Sequence, residues 1–327
     1  MLHYLFRHNK DYSRFNIIKH LLKDVTCKND IFMLLPFSKN QFFKHFFKRN
    51  RIVNDFFISN YDTYVYDREK ISKYNPRAWW KYLQDWVNFK FSKYLLSDTQ
   101  AHFDYWQKLF GTFKGEHFVL PVLADTSLYY PAKDPRIDEP KRILFYGSFI
   151  PLHGIDIILK AFALLEKEQI SFQAQVIGKG QMFAAMKALH ENLHLCNVEM
   201  NGLFMNEQAL VDEIRKADIV LGIFGHSQKA FSVIPNKAYQ ALACQKALIT
   251  MTTPTMYEFF NDHEILMCPN TPEALAEAMK KLINDTALLQ QYQTNGYQAF
   301  NELYQQTQKR FTHFIHTIDQ SLGEYPQ

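Results

Sequence analysis

One stretch, residues 231 to 250, constrains the fold more than any other part of the chain. It reads FSVIPNKAYQALACQKALIT. Pro235 cannot continue a strand and Asn236 is a good helix N-cap, so a helix is predicted to begin at this point. The helix is followed at once by residues 247–250, an apolar run typical of a buried parallel strand. The segment therefore predicts half of a βαβ unit, with the amino end of its helix directed at a crevice.

Lys237 occupies the first turn of this predicted helix. A lysine is intrinsically unfavourable there, because the unpaired N–H groups and the helix dipole already make this end positive. The same two features favour phosphate binding. Lys237 thus indicates an anion site, and an ordinary helix with a solvated lysine is the alternative interpretation.

Length and composition favour a two-domain globular protein. The chain has 327 residues, of which 47% are hydrophobic and 21% are charged, so it can bury a sizeable core and is not a disordered polypeptide. No apolar run approaches the roughly 20 residues that a membrane span needs, and the first residues lack the apolar segment of a signal peptide. The four cysteines are scattered without Cys-x-x-Cys spacing, which predicts reduced thiols in a cytosolic protein and no zinc site.

Charge is distributed unevenly along the chain. Residues 1–130 contain 20 Lys and Arg against 12 Asp and Glu, whereas the remainder contains 17 against 21. All four tryptophans also lie in the first part. A basic, aromatic half of this kind suggests contact with an anionic surface.

Residues 37–51 predict a basic amphipathic helix. Four phenylalanines lie at helical spacing among five basic residues: Phe42, Phe43, Phe46 and Phe47, with Lys39, Lys44, Lys48, Arg49 and Arg51. Such a helix can lie on anionic lipid headgroups, each basic residue contributing about 1 kcal/mol. The alternative is that the phenylalanines pack on a sheet and the charges are only solvated. Nucleic acid is not predicted as a partner, because no helix-turn-helix, RNA-recognition or zinc-finger pattern accompanies the charge.

The opening stretch also resembles a known signature. Its residues Pro235, Lys237, Tyr239, Ala241 and Ala243 match the Pro-x-Lys-x-Tyr-Glu-Tyr-x-Ala pattern found in a subgroup of the retaining glycosyltransferases of family 4. The chain departs from the family's Glu-x7-Glu pair, because Ser232 and Gln240 stand at the two glutamate positions. A glutamine can still bond a sugar hydroxyl, but without the charge that strengthens a carboxylate contact.

Further segments, in family order, resemble the same transferases. Gly147 to Gly154 is similar to Gly-Arg-x-x-x-x-Lys-Gly, with Ser148 and His153 in place of the Arg and Lys that hold the donor diphosphate. Four more segments resemble motifs of the family and occur in the family's order: 118–131, 172–180, 197–204 and 217–224. A histidine beside a diphosphate is expected to have a raised pKa, which would make His153 a conditional cation; a helix-capping histidine is the alternative.

The resemblance implies an α/β fold of the GT-B type, with two Rossmann-like domains facing a cleft and a shortened N-terminal domain. The implied domains are an acceptor-binding domain at 1–131, a linker at 132–141, a nucleotide-sugar-binding domain at 142–300 and a C-terminal helix at 301–327 that packs back on the first domain. We also expect helices over residues 76–91, 100–110, 272–284 and 296–322.

The resemblance also implies residue roles. Lys237 and His153 are the expected catalytic residues, and no metal ligand is expected, since neither Asp-x-Asp nor a His/Asp cluster is present. The expected donor-binding residues are Gly147, Ser148, Gly154, Gly178, Leu203, Ser232, Val233, Ile234, Asn236 and Gln240. The expected acceptor-side residues follow predicted strands: Tyr61 and Asp62 in a polar loop at 60–68, and Asp98 in Asp98-Thr99-x-x-His102, where helix capping by Asp98 is the alternative.

The implied function is transfer of a sugar from a nucleotide sugar, UDP-sugar in preference to GDP-sugar, to a glycan or lipid-linked acceptor in cell-surface polysaccharide synthesis. No other cofactor is expected, anomeric configuration would be retained, and the protein would lie in the cytoplasm or peripherally on the inner face of the cell membrane. The lost glutamates leave a second interpretation open, a non-catalytic nucleotide-sugar-binding or assembly subunit. A Rossmann oxidoreductase is poorly supported, because no Gly-x-Gly-x-x-Gly follows a strand.

Overall fold

The computed structural model describes residues 1–6, 13–133, 140–203 and 205–323. The chain divides into two compact units, the first formed by Met1–Val122 with Tyr304–Gln327 and the second by Leu123–Leu303. Each unit contains one sheet of parallel strands with helices packed on it. The predicted linker at 132–141 includes residues 134–139, which lie outside the described residues, so its bounds stay a prediction.

The first unit has a five-stranded sheet in the order β1-β2-β3-β4-β5. Its elements are β1 (Leu2–Leu5), α1 (Ser13–Leu21), β2 (Ile31–Leu34), α2 (Lys39–Lys44), a 3-10 helix (Phe46–Arg51), β3 (Ile52–Asp55), α3 (Asn60–Asp62), a π-helix (Thr63–Asp67), α4 (Pro76–Phe91), β4 (Tyr94–Ser97), α5 (Gln100–Phe110) and β5 (Glu116–Val119). Every strand pairs in parallel with its neighbours, and all four residues of β3 and of β4 are buried. The buried polar residues of β3 are bonded within the unit: Asp55 accepts from Arg14, and Asn54 donates to the hydroxyl of Ser92.

Helix starts in this unit follow local side-chain chemistry. The side chain of Asn75 accepts a hydrogen bond from the N–H of Arg77 at the start of α4, with Pro76 in the first turn. The hydroxyl of Thr99 accepts from the N–H of His102 at the start of α5. The predicted helices 76–91 and 100–110 are therefore confirmed. Capping of α5 by Asp98 is wrong, because the neighbouring threonine caps it.

Residues 60–68 are not the polar loop that the sequence suggests. Residues 60–67 form α3 and the π-helix, which follow β3 after the short connection 56–59. The hydroxyl of Ser59 accepts from the N–H of Asp62 and starts this helical segment. The polar composition of the segment therefore reflects capping and buried hydrogen bonds and does not mark a solvated turn.

The single amphipathic helix predicted for residues 37–51 is also wrong. The α-helical part ends at Lys44, and a separate 3-10 helix begins at Phe46. Lys39 is buried and pairs with Asp85, and Phe42 is buried against β2 and β3, whereas Phe47 is almost fully exposed. The basic and apolar residues of this segment consequently do not share one solvent-facing surface.

The second unit has a six-stranded parallel sheet in the order β11-β10-β9-β6-β7-β8. Its elements are β6 (Lys141–Tyr146), a 3-10 helix (Pro151–His153), α6 (Ile155–Lys167), β7 (Phe172–Ile177), α7 (Phe183–Asn192), β8 (Val198–Asn201), α8 (Glu207–Lys216), β9 (Ile219–Leu221), α9 (Asn236–Ala243), β10 (Ala247–Met251), a 3-10 helix (Met256–Glu258), β11 (Leu266–Cys268), α10 (Pro272–Asn284) and α11 (Thr286–Gly323). The sheet's main core lies under α6 and α10, which pack apolar residues against β6, β9 and β10. The predicted helix 272–284 is confirmed.

The last helix, α11, is 38 residues long and begins before the predicted residue 296. Its final part belongs to the first unit, where Phe311 and Phe314 pack on Phe118 and the carboxylate of Asp319 accepts from the backbone N–H groups of Lys28 and Asn29. Among the helices in the described ranges, none is long and apolar enough to cross a membrane.

Candidate active site

The strand order of the second unit defines where a ligand would lie. The chain moves from β6 outward to β7 and β8, and then returns to the other side of β6 for β9, β10 and β11. Open α/β sheets bind ligands at such a reversal, outside the carboxyl ends of the strands. Gly147 follows β6 and Gly222 follows β9, so these two glycines mark the reversal point.

Lys237 reaches this point from the first turn of α9. Its Nζ donates to the carbonyl of Gly222 at 3.4 Å, and a Cβ placed on Gly147 would lie 3.2 Å from the same Nζ. The side chain also crosses the face of Phe145, with Nζ 3.8 Å from the ring centre. The lysine is therefore directed into the crevice and away from solvent.

Burial of Lys237 is the main electrostatic feature of the site. The residue is only 4% exposed, and removal from water lowers the pKa of its ammonium well below the ordinary value. In the described part of the chain no carboxylate lies within ion-pair distance of Nζ. A buried cation without a counter-charge is costly, and it is characteristic of a site that receives an anion.

His153 lies beside Lys237, at the end of the 3-10 helix that precedes α6. Its Nδ1 bonds the carbonyl of Ser148, which fixes the ring. Burial, followed by the charge of Lys237, lowers the pKa of His153 well below its ordinary value. The imidazole is thus neutral in the protein alone, and only a strong anion would make it a cation. The capping alternative is wrong, because the residue before α6 is Gly154.

Two glycines let the backbone loops approach each other at this place. A Cβ on Gly178 would lie 1.8 Å from the carbonyl oxygen of Gly147, and one on Gly147 would lie 2.9 Å from Cε1 of His153. Both residues also have φ values, +145° and +149°, that side chains rarely permit. The loops after β6 and β7 can therefore pack together only because both positions lack a side chain.

A cavity of about 200 Å³ adjoins these loops. The apolar side chains of Met205 and Leu210 form part of its wall. It is also lined by four of the predicted donor-binding residues: Gly147, Ser148, Gly178 and Leu203. Its volume suits one part of a nucleotide more than a whole one, since complete ligand pockets are usually larger.

The predicted donor-binding residues before α9 have different environments. Pro235 occupies the cap position and makes no side-chain capping bond, so Asn236 is the exposed first helical residue and its predicted capping role is wrong. The hydroxyl of Ser232 donates to the carbonyl of Gln228. Val233 is half-buried and Ile234 is buried.

Gln240 is held by two tyrosines. Its Nε2 donates to the hydroxyl of Tyr129 at 2.8 Å, and its Oε1 accepts from the hydroxyl of Tyr146 at 2.8 Å. The hydroxyl of Tyr129 donates in turn to Glu207 at 3.3 Å. Both ends of the amide are therefore bonded within the protein, and a ribose hydroxyl would have to use their remaining bonding capacity.

The three predicted acceptor-side residues lie in the first unit, at the carboxyl ends of β3 and β4. Asp62 accepts from the hydroxyl of Tyr105 at 2.7 Å, and Tyr61 packs edge-on against Tyr66. Burial and the neighbouring Tyr66 raise the pKa of Tyr61 to about 12, so its hydroxyl keeps its proton.

Asp98 forms a buried pair with His102. Its Oδ1 is 2.7 Å from Nδ1 of the imidazole, and Nε2 of that ring has no hydrogen-bond partner among the described residues. The carboxylate of Asp98 therefore fixes the orientation of this ring, and Nε2 is left buried and unbonded within the described part of the chain.

Comparison with known proteins identifies the family. The model of the family described as glycosyl transferases group 1 matches residues 130–299. The chain belongs to this family. The match includes β6, α9 and the whole reversal point of the second sheet.

This group 1 chain aligns with only part of the length of each of two curated relatives. An exopolysaccharide phosphotransferase of Streptomyces coelicolor is 24% identical over 185 residues, which are 55% of this chain and 19% of that protein. An uncharacterized glycosyltransferase of Methanocaldococcus jannaschii is 24% identical over 155 residues, which are 47% of this chain and 41% of that protein. The chain thus matches less than half the length of each.

Solved structures share the fold of this group 1 chain. Sucrose-phosphate synthase from Thermosynechococcus elongatus has a TM-score of 0.68 at 15% identity, covering 89% of this chain and 74% of that one. The pneumococcal O-GlcNAc transferase in complex with UDP and GlcNAc has a TM-score of 0.64 at 13% identity, covering 95% and 62%. The fold is accordingly the α/β GT-B type with two parallel sheets.

Sequence reasoning missed the tyrosines that hold Gln240 and the buried pair of Lys39 with Asp85. Tyr129 lies 111 positions before Gln240 in the chain, so no local pattern reveals the contact. The ion pair spans 46 positions, and Lys39 looked like one more basic residue of an exposed helix. In both cases the missing information was the fold itself.

A larger cavity, of about 470 Å³, lies elsewhere in the second unit. Arg142, Gln173 and Asn197 line it, near the amino ends of β6, β7 and β8. It is therefore at the opposite end of the strands from Gly147 and Lys237, where sheets of this class do not place their ligands.

Proposed function

We propose that this group 1 chain is a glycosyltransferase that moves a sugar from a nucleotide sugar to a glycan or lipid-linked acceptor in cell-surface polysaccharide synthesis. UDP-sugar is the proposed donor, and anomeric configuration is retained. The bound UDP of the pneumococcal O-GlcNAc transferase, which has the same fold, supports the choice of donor.

One observation carries this proposal. Lys237 places a buried positive charge, without a counter-ion in the described residues, at the reversal point of a parallel sheet. A diphosphate supplies the missing negative charge, and the first N–H groups of α9 add donors directed at the same place.

The chemistry follows from that charge. During transfer the bond from the anomeric carbon to the diphosphate oxygen breaks, and the acceptor hydroxyl oxygen forms the new bond while its proton passes to the departing diphosphate. Negative charge develops on that diphosphate, and Lys237 stabilises it in a place from which water is largely excluded. His153 becomes protonated next to the same charge and contributes a second cation. A protein cation supplies this stabilisation, so the proposal requires no metal ion.

The other proposed site residues bind and orient the donor and the acceptor. Gly147, Ser148, Gly154 and Gly178 admit the diphosphate to the backbone, and Leu203 contacts the base. Gln240 bonds a ribose hydroxyl with its second N–H, while Ser232 to Ile234 and Asn236 lie along the sugar and phosphate. In the first unit, Tyr61, Asp62 and Asp98 bind the acceptor.

A thermal-shift panel with UDP, GDP and their sugar conjugates, followed by a transfer assay with labelled donor, tests the proposal. A matching nucleotide at a hundred times its Kd should stabilise the protein by about 2.7 kcal/mol. Lys237→Ala should remove this stabilisation and abolish transfer. Unchanged turnover in that variant would refute the assignment, and Lys187→Ala, on the exposed face of α7, is the matched control.

The engagement of Gln240 favours a second candidate, a non-catalytic nucleotide-sugar-binding or assembly subunit. The glutamine stands at a family glutamate position, and both ends of its amide already bond tyrosines. Tight binding of a nucleotide sugar with neither hydrolysis nor transfer, across a panel of acceptors, would support this candidate over the first.

A further inference from the structure

Helix α4 exposes large apolar side chains on the face that points away from its unit. Trp79 and Trp80 are 67% and 60% exposed, and Leu83, on the same side, is 47% exposed. The opposite side is buried and includes Ala78 and Phe89 together with the polar residues Asp85 and Asn88. A surface helix normally exposes a polar face opposite its buried one, and Trp79, Trp80 and Leu83 depart from that pattern. The outward face of α4 is therefore suited to an apolar environment outside the unit.

Positive charge surrounds this outward face. Between residues 68 and 93 the chain has seven Lys and Arg and only two acidic residues, Glu69 and Asp85. Asp85 is buried and already paired with Lys39, so it does not offset the surface charge. Lys73, Arg77 and Lys81 have no carboxylate within ion-pair distance among the residues that the structure describes. The partner of this face must consequently carry negative charge beside an apolar layer.

A cavity of about 610 Å³ opens next to the face. Its wall combines cations, amide groups and aromatic rings, and includes Phe37, Asn60, Arg77, Trp80, Lys81 and Gln84. No carboxylate is among the described residues that line it. A side-chain hydrogen bond from Gln84 to Asn40 joins α4 to α2 at this place. A cavity of this size and charge can receive a phosphate-bearing headgroup while the tryptophans contact its acyl chains.

The chemistry of these side chains favours a membrane surface over a protein partner. Tryptophan and tyrosine are enriched where an apolar layer meets water, because their rings are apolar and their N–H or O–H groups are polar. Tyr74, which is 79% exposed and precedes α4, belongs to the same surface. Basic residues beside such rings are drawn to anionic headgroups.

We propose that the outward face of α4, with the adjoining cavity, docks on an anionic phospholipid surface. Trp79, Trp80 and Leu83 enter the interfacial layer, while Arg77 and Lys81 contact phosphates. The contact lies on α4 and not on the basic segment 37–51 that the sequence suggests, although Phe37 contributes to the cavity wall. The proposal does not depend on the proposed sugar transfer, because lipid binding is measured without a donor.

Vesicle flotation of the full chain tests the proposal, with phosphatidylcholine alone and phosphatidylcholine mixed with phosphatidylglycerol as probes. The protein should bind the anionic vesicles selectively, and high salt should weaken the binding. Trp79→Ser with Trp80→Ser, and separately Arg77→Gln with Lys81→Gln, should each lower the partition coefficient about tenfold or more. These side chains are wholly or partly exposed, and circular dichroism melting checks that each variant is folded.

Two further variants distinguish the alternatives. Phe43→Ser with Phe47→Ser removes two exposed rings of the 37–51 segment and should leave vesicle binding unchanged. Trp79→Phe with Trp80→Phe should keep vesicle binding but lose most of the fluorescence quenching by brominated lipids. The proposal is overturned if the protein binds neutral and anionic vesicles equally well, or if Phe43→Ser with Phe47→Ser abolishes vesicle binding. It is also overturned if the face binds an acidic protein but no vesicles.

Discussion

The ammonium of Lys237 lies 3.8 Å from the centre of the Phe145 ring and donates to the carbonyl of Gly222. A ring face and one carbonyl oxygen offset part of the cost of burying a cation, by about 0.5–2 kcal/mol for the ring. Neither contact carries a formal negative charge. The folded protein therefore keeps an unfavourable charge at the end of its second sheet, and an anion would relieve that cost.

Replacing this lysine should stabilise the protein while removing its ligand. Lys237→Met keeps a long unbranched side chain without the charge, so the free energy of unfolding should rise by about 1–3 kcal/mol. Urea denaturation with and without UDP measures both effects, and UDP should no longer shift the midpoint of the variant. Lys187→Met, on the exposed face of α7, should change neither quantity. A destabilised Lys237→Met variant would contradict this account.

The same lysine should make stability depend on alkaline pH. Its pKa is lowered in the folded protein, so the unfolded chain binds the proton more tightly between the folded pKa and 10.5. The cost of the buried charge is complete below that window and disappears as pH rises through it, so this residue makes stability increase with pH. Comparing unfolding free energies of the wild type and Lys237→Met across pH isolates this contribution. Parallel pH profiles would disprove it.

His153 should couple donor binding to proton uptake. Burial and Lys237 lower its pKa in the protein alone, whereas a bound diphosphate would raise it. UDP affinity should therefore increase as pH falls below 7, and calorimetry in buffers of different ionisation enthalpy should detect uptake of protons. His153→Asn should lose this uptake at least in part. Identical uptake in His153→Asn would exclude the histidine.

Much of the second unit was predictable because its signals are local. The apolar runs correctly indicated parallel strands, and Pro235 correctly marked the point at which α9 begins. Lys237, predicted at an anion site, is buried at that helix start. The bounds of α4 and α5 were also predictable, since Asn75 and Thr99 cap them by direct side-chain contact with the first turn.

The errors arose where a tertiary contact decided the outcome. The side chain of Asp85 accepts from the hydroxyl of Ser59 and the N–H of Tyr61, which holds residues 60–68 in a helical conformation. Lys39 is drawn into the same buried cluster, which interrupts the predicted basic surface of residues 37–51. Helical periodicity reports which residues share a face, but it does not report which face the fold covers.

Gly178→Ala should damage both the fold and the candidate site. The new Cβ would lie 1.8 Å from the carbonyl oxygen of Gly147, and φ is +149°. Strain of this kind costs about 1–3 kcal/mol, and the loop after β6 must also move, so UDP binding should weaken together with stability. Gly323→Ala is the matched control, because its Cβ would meet only a side-chain nitrogen at 3.7 Å. Denaturation and UDP titration of both variants check the prediction, and an unchanged Gly178→Ala protein would contradict the loop packing.

Asp85→Ala should be among the most destabilising substitutions in the first unit. It removes the partner of the buried ammonium of Lys39 and leaves the Ser59 hydroxyl and the Tyr61 N–H without their acceptor. Breaking a buried ion pair from one side costs about 3–5 kcal/mol. Lys39→Met should cost less, because the carboxylate keeps its two other donors. Glu191→Ala removes one partner of the exposed Lys187–Glu191 pair and should change stability by less than about 1 kcal/mol. Urea denaturation of the three variants gives this ranking, and a small effect of Asp85→Ala would show that the cluster does not hold residues 60–68 in place.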